Sequence, residues 1–345
     1  MEILVTGATG FIGGALCRRL INAGYRVRAL HRPASRLDLL EGLPVQRVTG
    51  DLTDPPSLEA AVQGVDVIFH IGAALSGSYA PHQMAAVTVG GTRSLLHAAR
   101  QAGVHRLVHC SSVAALGMPA QSAFGSSAPL MDERHAWNAN PDVWPYGYAK
   151  YLAELEVSYA IAGGLDAVIV NPSVVLGAGD LYRQRSSFVA QVAGRRVKFL
   201  TQGGLNIIHV EDVVDGLLAA CERGRCGERY ILGGENIPIP ALLKEIARLA
   251  GVPAPCIPLP ARLVRLSAPL AKAVAPLLRL PIQPSQFKQA GLYFYVDNSK
   301  ARRELGLARP RPLDQAIAET LAWFKAQPAS FVPSQTALNP PHRVE

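Results

Sequence analysis

Paired cysteines, clustered charge and unbroken apolar runs are all missing from this chain. Its five cysteines, Cys17, Cys110, Cys221, Cys226 and Cys256, form no Cys-x-x-Cys pair and have no histidine nearby at metal-ligand spacing, which argues against a zinc module or a disulfide scaffold. Reduced thiols are expected, with Cys17 and Cys110 serving as small apolar residues in core elements. The formal charge of +8 is scattered in pairs such as Arg18-Arg19, Arg195-Arg196 and Arg302-Arg303. With no basic helix or aromatic-interleaved stripe, it predicts a solvated surface and no nucleic-acid partner. No charged leader or apolar signal core precedes the first apolar run, so a cytoplasmic protein is expected. Residues 262–280 are aliphatic, but Arg265, Lys272 and Arg279 alternate there with Pro269 and Pro276. That interruption excludes a transmembrane span and predicts a helix packed on the core, with a membrane-touching or pocket-covering amphipathic helix as the alternative.

What is present is an apolar fraction of 49% over 345 residues, enough for one large α/β domain and a smaller partner. The chain starts with an apolar strand, Ile3-Leu4-Val5, running into Thr6-Gly7-Ala8-Thr9-Gly10-Phe11-Ile12-Gly13-Gly14 and then a helical pattern of Ala15, Leu16, Leu20 and Ile21. Strand, glycine-rich turn and helix in this order form a dinucleotide site. Gly7 permits the tight turn, Gly10 removes the side chain that would block a pyrophosphate, and Gly13 lets the helix lie close to the sheet. The positive end of that helix then faces the phosphates.

Further strands are expected at Tyr25–Leu30, Val45–Thr49, Val65–Phe69, Arg106–Cys110 and Ala167–Asn171, with one helix from about Met84 to Ala102 and another from Tyr146 to about Ala162. Alternation of this kind predicts a doubly wound parallel sheet with helices on both faces. Asp51 and Leu52, after the third strand, would bracket an adenine; Gly72 and Ala73, after the fourth, would let the backbone approach the pyrophosphate. His70 is read as a structural histidine. After the second strand no acid is present to accept bonds from ribose hydroxyls; Arg32, backed by Ser35 and Arg36, stands where a 2′-phosphate would need a cation. NADP is therefore the expected cofactor, with NAD the alternative.

The fifth strand delivers Ser111-Ser112 at its carboxyl end, where open parallel sheets place their chemistry. In Tyr146-Gly147-Tyr148-Ala149-Lys150 the spacing puts Tyr146 and Lys150 on one helix face. A phenol works as acid or base near neutrality only if a cation steadies its phenolate, which Lys150 would do, while Ser112 would hydrogen-bond the substrate oxygen. Pro172 and Ser173, after the sixth strand, would hold the nicotinamide. Residues 117–145 read as a long loop whose Met118, Met131, Trp137 and Trp144 form either an apolar pocket wall or half-buried packing. Beyond Phe188 come short elements, including a strand-like Ile207–Asp212 and helices at Val213–Arg223 and Pro240–Ala250. The expected organisation is a nucleotide-binding part at 1–175 with interleaved residues near 205–232, a substrate lobe mainly at 176–327, and a frayed tail at 328–345.

These motifs together resemble the extended short-chain dehydrogenase/reductase family, over roughly residues 1–327 and in the family's order: TGATGFIG, GDL, His-x-x-Ala-Ala, the Ser-Ser pair, Tyr-x-x-x-Lys and NPSVVLG. The stretches GGLNIIHVEDV, GERYILGGEN and DNSKARRELG are most similar to the atypical branch around dihydroflavonol reductase, hydroxysteroid dehydrogenases and hopanoid-associated proteins. The resemblance implies a Rossmann-type fold and an NADP-dependent oxidoreductase with a Ser-Tyr-Lys site acting on a small-molecule carbonyl or alcohol, as monomer or homodimer; Trp137, Trp144 and the leucines near 263–280 point to a lipophilic substrate or equally serve packing. An NAD-dependent nucleotide-sugar epimerase or dehydratase is the alternative, and a non-catalytic dinucleotide-binding regulator a third. Two positions depart from the pattern. Thr88 stands where many members have the Asn of Asn-Val-x-Gly-Thr, which puts their lysine-directed water relay in doubt, and Asn171 stands where epimerases usually show Arg.

Overall fold

The computed structural model describes residues 1–74, 79–119, 129–181, 187–267 and 289–327. Strand β1 (Glu2–Thr6) is entirely buried, and its alternation sends Ile3 and Val5 into one core and Leu4 into the other. Following it come α1 (Phe11–Asn22), β2 (Arg26–His31), β3 (Gln46–Thr49), α2 (Pro55–Val62) and β4 (Val67–His70). The expected helix from 84 to 102 is instead three pieces: α3 (Pro81–Ala85), one π turn (Ala86–Gly90) and α4 (Gly91–Gln101). Then follow β5 (Arg106–Cys110), a 3₁₀ turn (Val113–Leu116), α5 (Pro145–Ala162) and β6 (Ala167–Pro172).

The later elements are β7 (Val174–Leu176), α6 (Phe188–Ala193), β8 (Phe199–Leu200), β9 (Gly204–His209), α7 (Val210–Arg223), β10 (Arg229–Leu232), β11 (Glu235–Pro238), α8 (Ile239–Ala250), β12 (Ile257–Pro258), α9 (Ala261–Leu266), β13 (Tyr293–Phe294), α10 (Ser299–Glu304) and α11 (Leu313–Ala326). The strand-like reading of 207–212 ends early. His209 caps α7 by accepting the Glu211 N–H at 3.0 Å, and Glu211 and Asp212 then sit in the first helical turn, where the helix dipole favours acids.

Seven parallel strands form the main sheet in the order β10-β6-β5-β4-β1-β2-β3. One face carries α1 and α7 through Leu16, Leu20, Val213 and Leu217; the other carries α2, α4 and α5 through Leu58, Leu95 and Val157. Strand order reverses between β1 and β4, which opens a crevice at their carboxyl ends. A second sheet has β9 paired with β7, β11 and β13, and a third core around Leu242, Ile246, Ile317 and Leu321 packs α8 and α11 beside it. Among the described residues no helix is long and apolar enough to cross a membrane. The tail beyond 327 lies outside the described residues, as does most of the aliphatic stretch. The part within them, α9, fully buries none of its residues.

Candidate active site

The glycine turn is fixed by contacts that leave no room for larger residues. Gly7 has φ +68°, and a Cβ there would lie 2.7 Å from the Gly72 backbone nitrogen; one on Gly13 would lie 2.2 Å from the Gly7 carbonyl oxygen. Gly72 is thus small because it packs on Gly7, a reason separate from the ligand approach expected of it. Gly10 differs: its Cβ would meet only the Gly7 oxygen, at 3.2 Å, so the protein leaves the space over it open. Gly10 begins α1 without a side-chain cap, and the first turn holds no acid. The first N–H groups of α1 therefore lack helical partners and face a cradle without negative charge, which fits a phosphate. Thr9 is buried beside this cradle, while Phe11 and Ile12 are half-buried and pack on the α1 face of the sheet.

A chain of hydrogen bonds ties the turn to the end of β4. Thr6 Oγ1 accepts the Gly72 N–H at 3.1 Å and lies 2.7 Å from His70 Nδ1, and His70 Nε2 lies 2.9 Å from Thr92 Oγ1. Thr92 donates to the Thr88 carbonyl at 2.5 Å, so its oxygen accepts from Nε2–H and Nδ1 accepts from Thr6. Thr88 Oγ1 in turn accepts the Ala74 N–H at 3.1 Å. His70 is structural as expected, and burial, with Lys150 nearby, pushes its imidazole down to about 3. Ala73 lies half-buried in the segment so held.

Arg32 donates from Nη1 to the Tyr79 hydroxyl at 3.1 Å, and its own N–H is accepted by Ser35 Oγ at 3.2 Å. Tyr79 also packs on the small cluster of Ala74, Met84 and Ala149 that carries Tyr146. Arg36, expected to reinforce Arg32, has its charge matched by Asp38 at 2.7 Å. The Asp51 carboxylate serves its own turn, accepting from Thr53 N and Oγ1 at 2.8 Å each, and Leu52 packs against Gly91 and Gly72.

The end of β5 meets the start of α5. Lys150 is buried and its Nζ donates to the Cys110 carbonyl at 3.0 Å, two residues before Ser112. Ser112 opens the 3₁₀ turn, its Oγ accepting the Ala114 N–H at 3.1 Å, and a Cβ on Gly147 would lie 2.7 Å from the Ala114 oxygen. These contacts bring the β5 end that bears Ser112 against the first turns of α5, which carry Tyr146 and Lys150. Tyr148 points elsewhere, with its ring 5.7 Å from that of Trp137. Trp137 also stacks on Tyr151, and Trp144 meets Phe294 edge-on at 5.5 Å. Met131 goes to the core with Leu116, Ile231 and Val296. Half-buried packing describes the two tryptophans better than a free pocket wall.

Residues not singled out from the sequence complete the site's frame. Buried Glu154, one turn beyond Lys150, accepts from Asn171 Nδ2 at 2.7 Å and pairs with Arg229, while Asn171 Nδ2 also donates to the Ser112 carbonyl at 2.9 Å. The i, i+4 spacing from Lys150 to Glu154 was the available signal. Ser173 is buried beside Pro172 with its Oγ unpartnered, and Ser111 Oγ and both His109 nitrogens are likewise buried without partners. Polar atoms of this kind at a strand edge fit a polar ligand or bound water.

The chain belongs to the NAD dependent epimerase/dehydratase family, whose model matches residues 3–233. It is an NAD(P)-dependent enzyme of the short-chain dehydrogenase/reductase type. It is 38% identical to a putative dihydroflavonol 4-reductase of Synechocystis sp., over 93% of this chain and 94% of that one. Sterol demethylase protein B of Methylococcus capsulatus is 34% identical, over 94% and 98%. Among solved structures, that of gox2253 superposes with a TM-score of 0.80 at 34% identity, covering 94% of this chain and 98% of the other.

Proposed function

We propose that this enzyme is an NADP-dependent oxidoreductase interconverting a ketone or aldehyde and an alcohol. The observation that carries the reading is the Lys150–Cys110 bond, which pins the Tyr146 face of α5 to the strand end bearing Ser112. Gly7, Gly10 and Gly13, with the start of α1 and Ala73, would hold the pyrophosphate, Asp51 and Leu52 would bracket the adenine, and Pro172 and Ser173 would hold the nicotinamide. Arg32 has only the neutral Tyr79 hydroxyl against its guanidinium among the described residues, which supports a role toward a 2′-phosphate. When bound, the nicotinamide dinucleotide supplies or accepts the hydride. Tyr146 would exchange the proton at the substrate oxygen, Ser112 would orient that oxygen by a hydrogen bond, and Lys150 would favour the phenolate by its charge.

The substrate is proposed to be lipophilic. Relatives named for a dihydroflavonol and a sterol support this. Asn171 is engaged by Glu154 and Ser112, which counts against a sugar-binding role at that position. The test is a panel of carbonyl compounds and alcohols followed by NADPH absorbance. Tyr146→Phe should lower turnover by roughly a hundredfold or more with dinucleotide affinity nearly unchanged, and Tyr148→Phe should do much less. The reverse ranking would remove Tyr146 from the chemistry. A dinucleotide that stays bound through purification and gives no net absorbance change on turnover would favour the epimerase instead.

A further inference from the structure

Part of the positive charge that looks scattered along the sequence comes together where two described stretches meet. Among the described residues, 187–210 and 246–267 carry six basic residues, Arg195, Arg196, Lys198, Arg248, Arg262 and Arg265, and no acidic one, and of the six Arg248 alone is ion-paired, with Glu245. These two stretches are joined directly: β8 pairs in parallel with β12, Phe199 opposite Ile257, and the Leu259 N–H donates to the Leu200 carbonyl at 2.7 Å just before α9 begins. The corner so formed is apolar at its surface. Phe199 is 53% exposed, Ile257 46%, Leu263 56% and Leu266 77%, and α9 buries none of its residues. Arg195, Arg196, Lys198 and Arg262 are exposed around them and Arg265 is half-exposed, and none of the five is ion-paired among the described residues.

Exposed leucines cost free energy in water, and a rim of cations without ion pairs among the described residues disfavours a second copy of the same corner. One partner satisfies both features at once, an interface with apolar depth under an anionic surface. We propose that this corner docks the protein peripherally on an anionic lipid bilayer, with Phe199, Ile257, Leu263 and Leu266 entering the headgroup boundary and the five cations meeting lipid phosphates. The proposal is independent of the reductase reading, because no residue in it belongs to the dinucleotide or Ser-Tyr-Lys site.

The test is sedimentation of the full chain with vesicles of phosphatidylcholine alone or with about one-third phosphatidylglycerol. Binding should be tenfold or more stronger to the anionic vesicles and should weaken at about 0.5 M salt. Neutralising three cations together, Arg196→Gln, Lys198→Gln and Arg262→Gln, should weaken binding by roughly a hundredfold. Leu263→Ser with Leu266→Ser should weaken it about tenfold at unchanged charge. All substituted side chains are on the surface, so an unchanged urea midpoint should accompany each loss. Equal binding to neutral vesicles would overturn the proposal. So would a leucine variant that binds as well as the unmodified chain, since the attraction would then be to polyanions in general. A concentration-dependent dimer abolished by the leucine substitutions would also overturn it, in favour of a second copy as the occupant.

Discussion

Substituting Glu154 tests whether the frame behind the site is held as described. Its side chain is only 2% exposed and receives Arg229, itself 25% exposed, together with the Asn171 amide. Glu154→Gln keeps the shape and can still accept from Asn171, but turns an N–H toward the guanidinium and leaves that charge without a counterion. Breaking a buried pair from one side typically costs about 3–5 kcal/mol. Because Arg229 keeps some contact with water, the lower end applies, about 3 kcal/mol. Adding Arg229→Met removes the stranded charge, so the double variant should regain most of the loss. The assay is urea unfolding of the four proteins. A single variant within about 0.5 kcal/mol of the unmodified chain, or a double variant whose loss is the sum of the two single losses, would refute the reasoning. Since Asn171 also holds the Ser112 carbonyl, Glu154→Ala, which removes the acceptor of that amide, should lower kcat while leaving dinucleotide affinity in place.

Arg32→Ala should weaken NADPH by roughly ten- to a hundredfold and leave NADH almost untouched, measured by titrating both cofactors; equal weakening of both would end the phosphate assignment. Gly10→Ala should fold normally yet lose dinucleotide affinity, whereas Gly13→Ala, whose Cβ would collide with the Gly7 backbone, should lower the urea midpoint as well. Equal midpoints for the two glycine variants would contradict the packing described for α1. Stability should fall with acidification: the His70 imidazole, near 6.5 when unfolded, is pushed to about 3 when folded, so the unfolded chain binds more protons between those values. The contribution is complete above pH 6.5 and is lost toward pH 3, by at most about 1.4 kcal/mol per pH unit, and the slope of midpoint against pH should flatten in His70→Gln.

Much of the architecture was legible because it depends on local signals. Strand alternation at Ile3-Leu4-Val5, the glycine turn and the Tyr-x-x-x-Lys spacing each follow from backbone periodicity, and these segments lie where their patterns say. The failures have a common cause in distant partners. A helical pattern over 84–102 carries no mark of the π turn, which is accompanied by bonds from Thr88 to Ala74 and from Thr92 to His70. Arg36 reads as support for Arg32 until Asp38 is seen to pair with it, and the partners of Glu154, Asn171 and Arg229, come from β6 and β10, distant in sequence.

The departure at Thr88 gains meaning from this geometry. A threonine cannot present the amide of an asparagine, but its hydroxyl takes the Ala74 N–H while its carbonyl takes the Thr92 hydroxyl. Those two bonds continue through His70 and Thr6 to the Gly72 N–H, so one polar chain spans the segment after β4, the π turn and the last residue before the glycine turn. Every member of it is buried or at the crevice edge, and none carries charge while His70 stays neutral. Its effect is to fix the spacing between the two strand ends that flank the crevice. Thr88 thus braces from behind the segment that borders the crevice, through the hydroxyl and the carbonyl that it offers to Ala74 and Thr92.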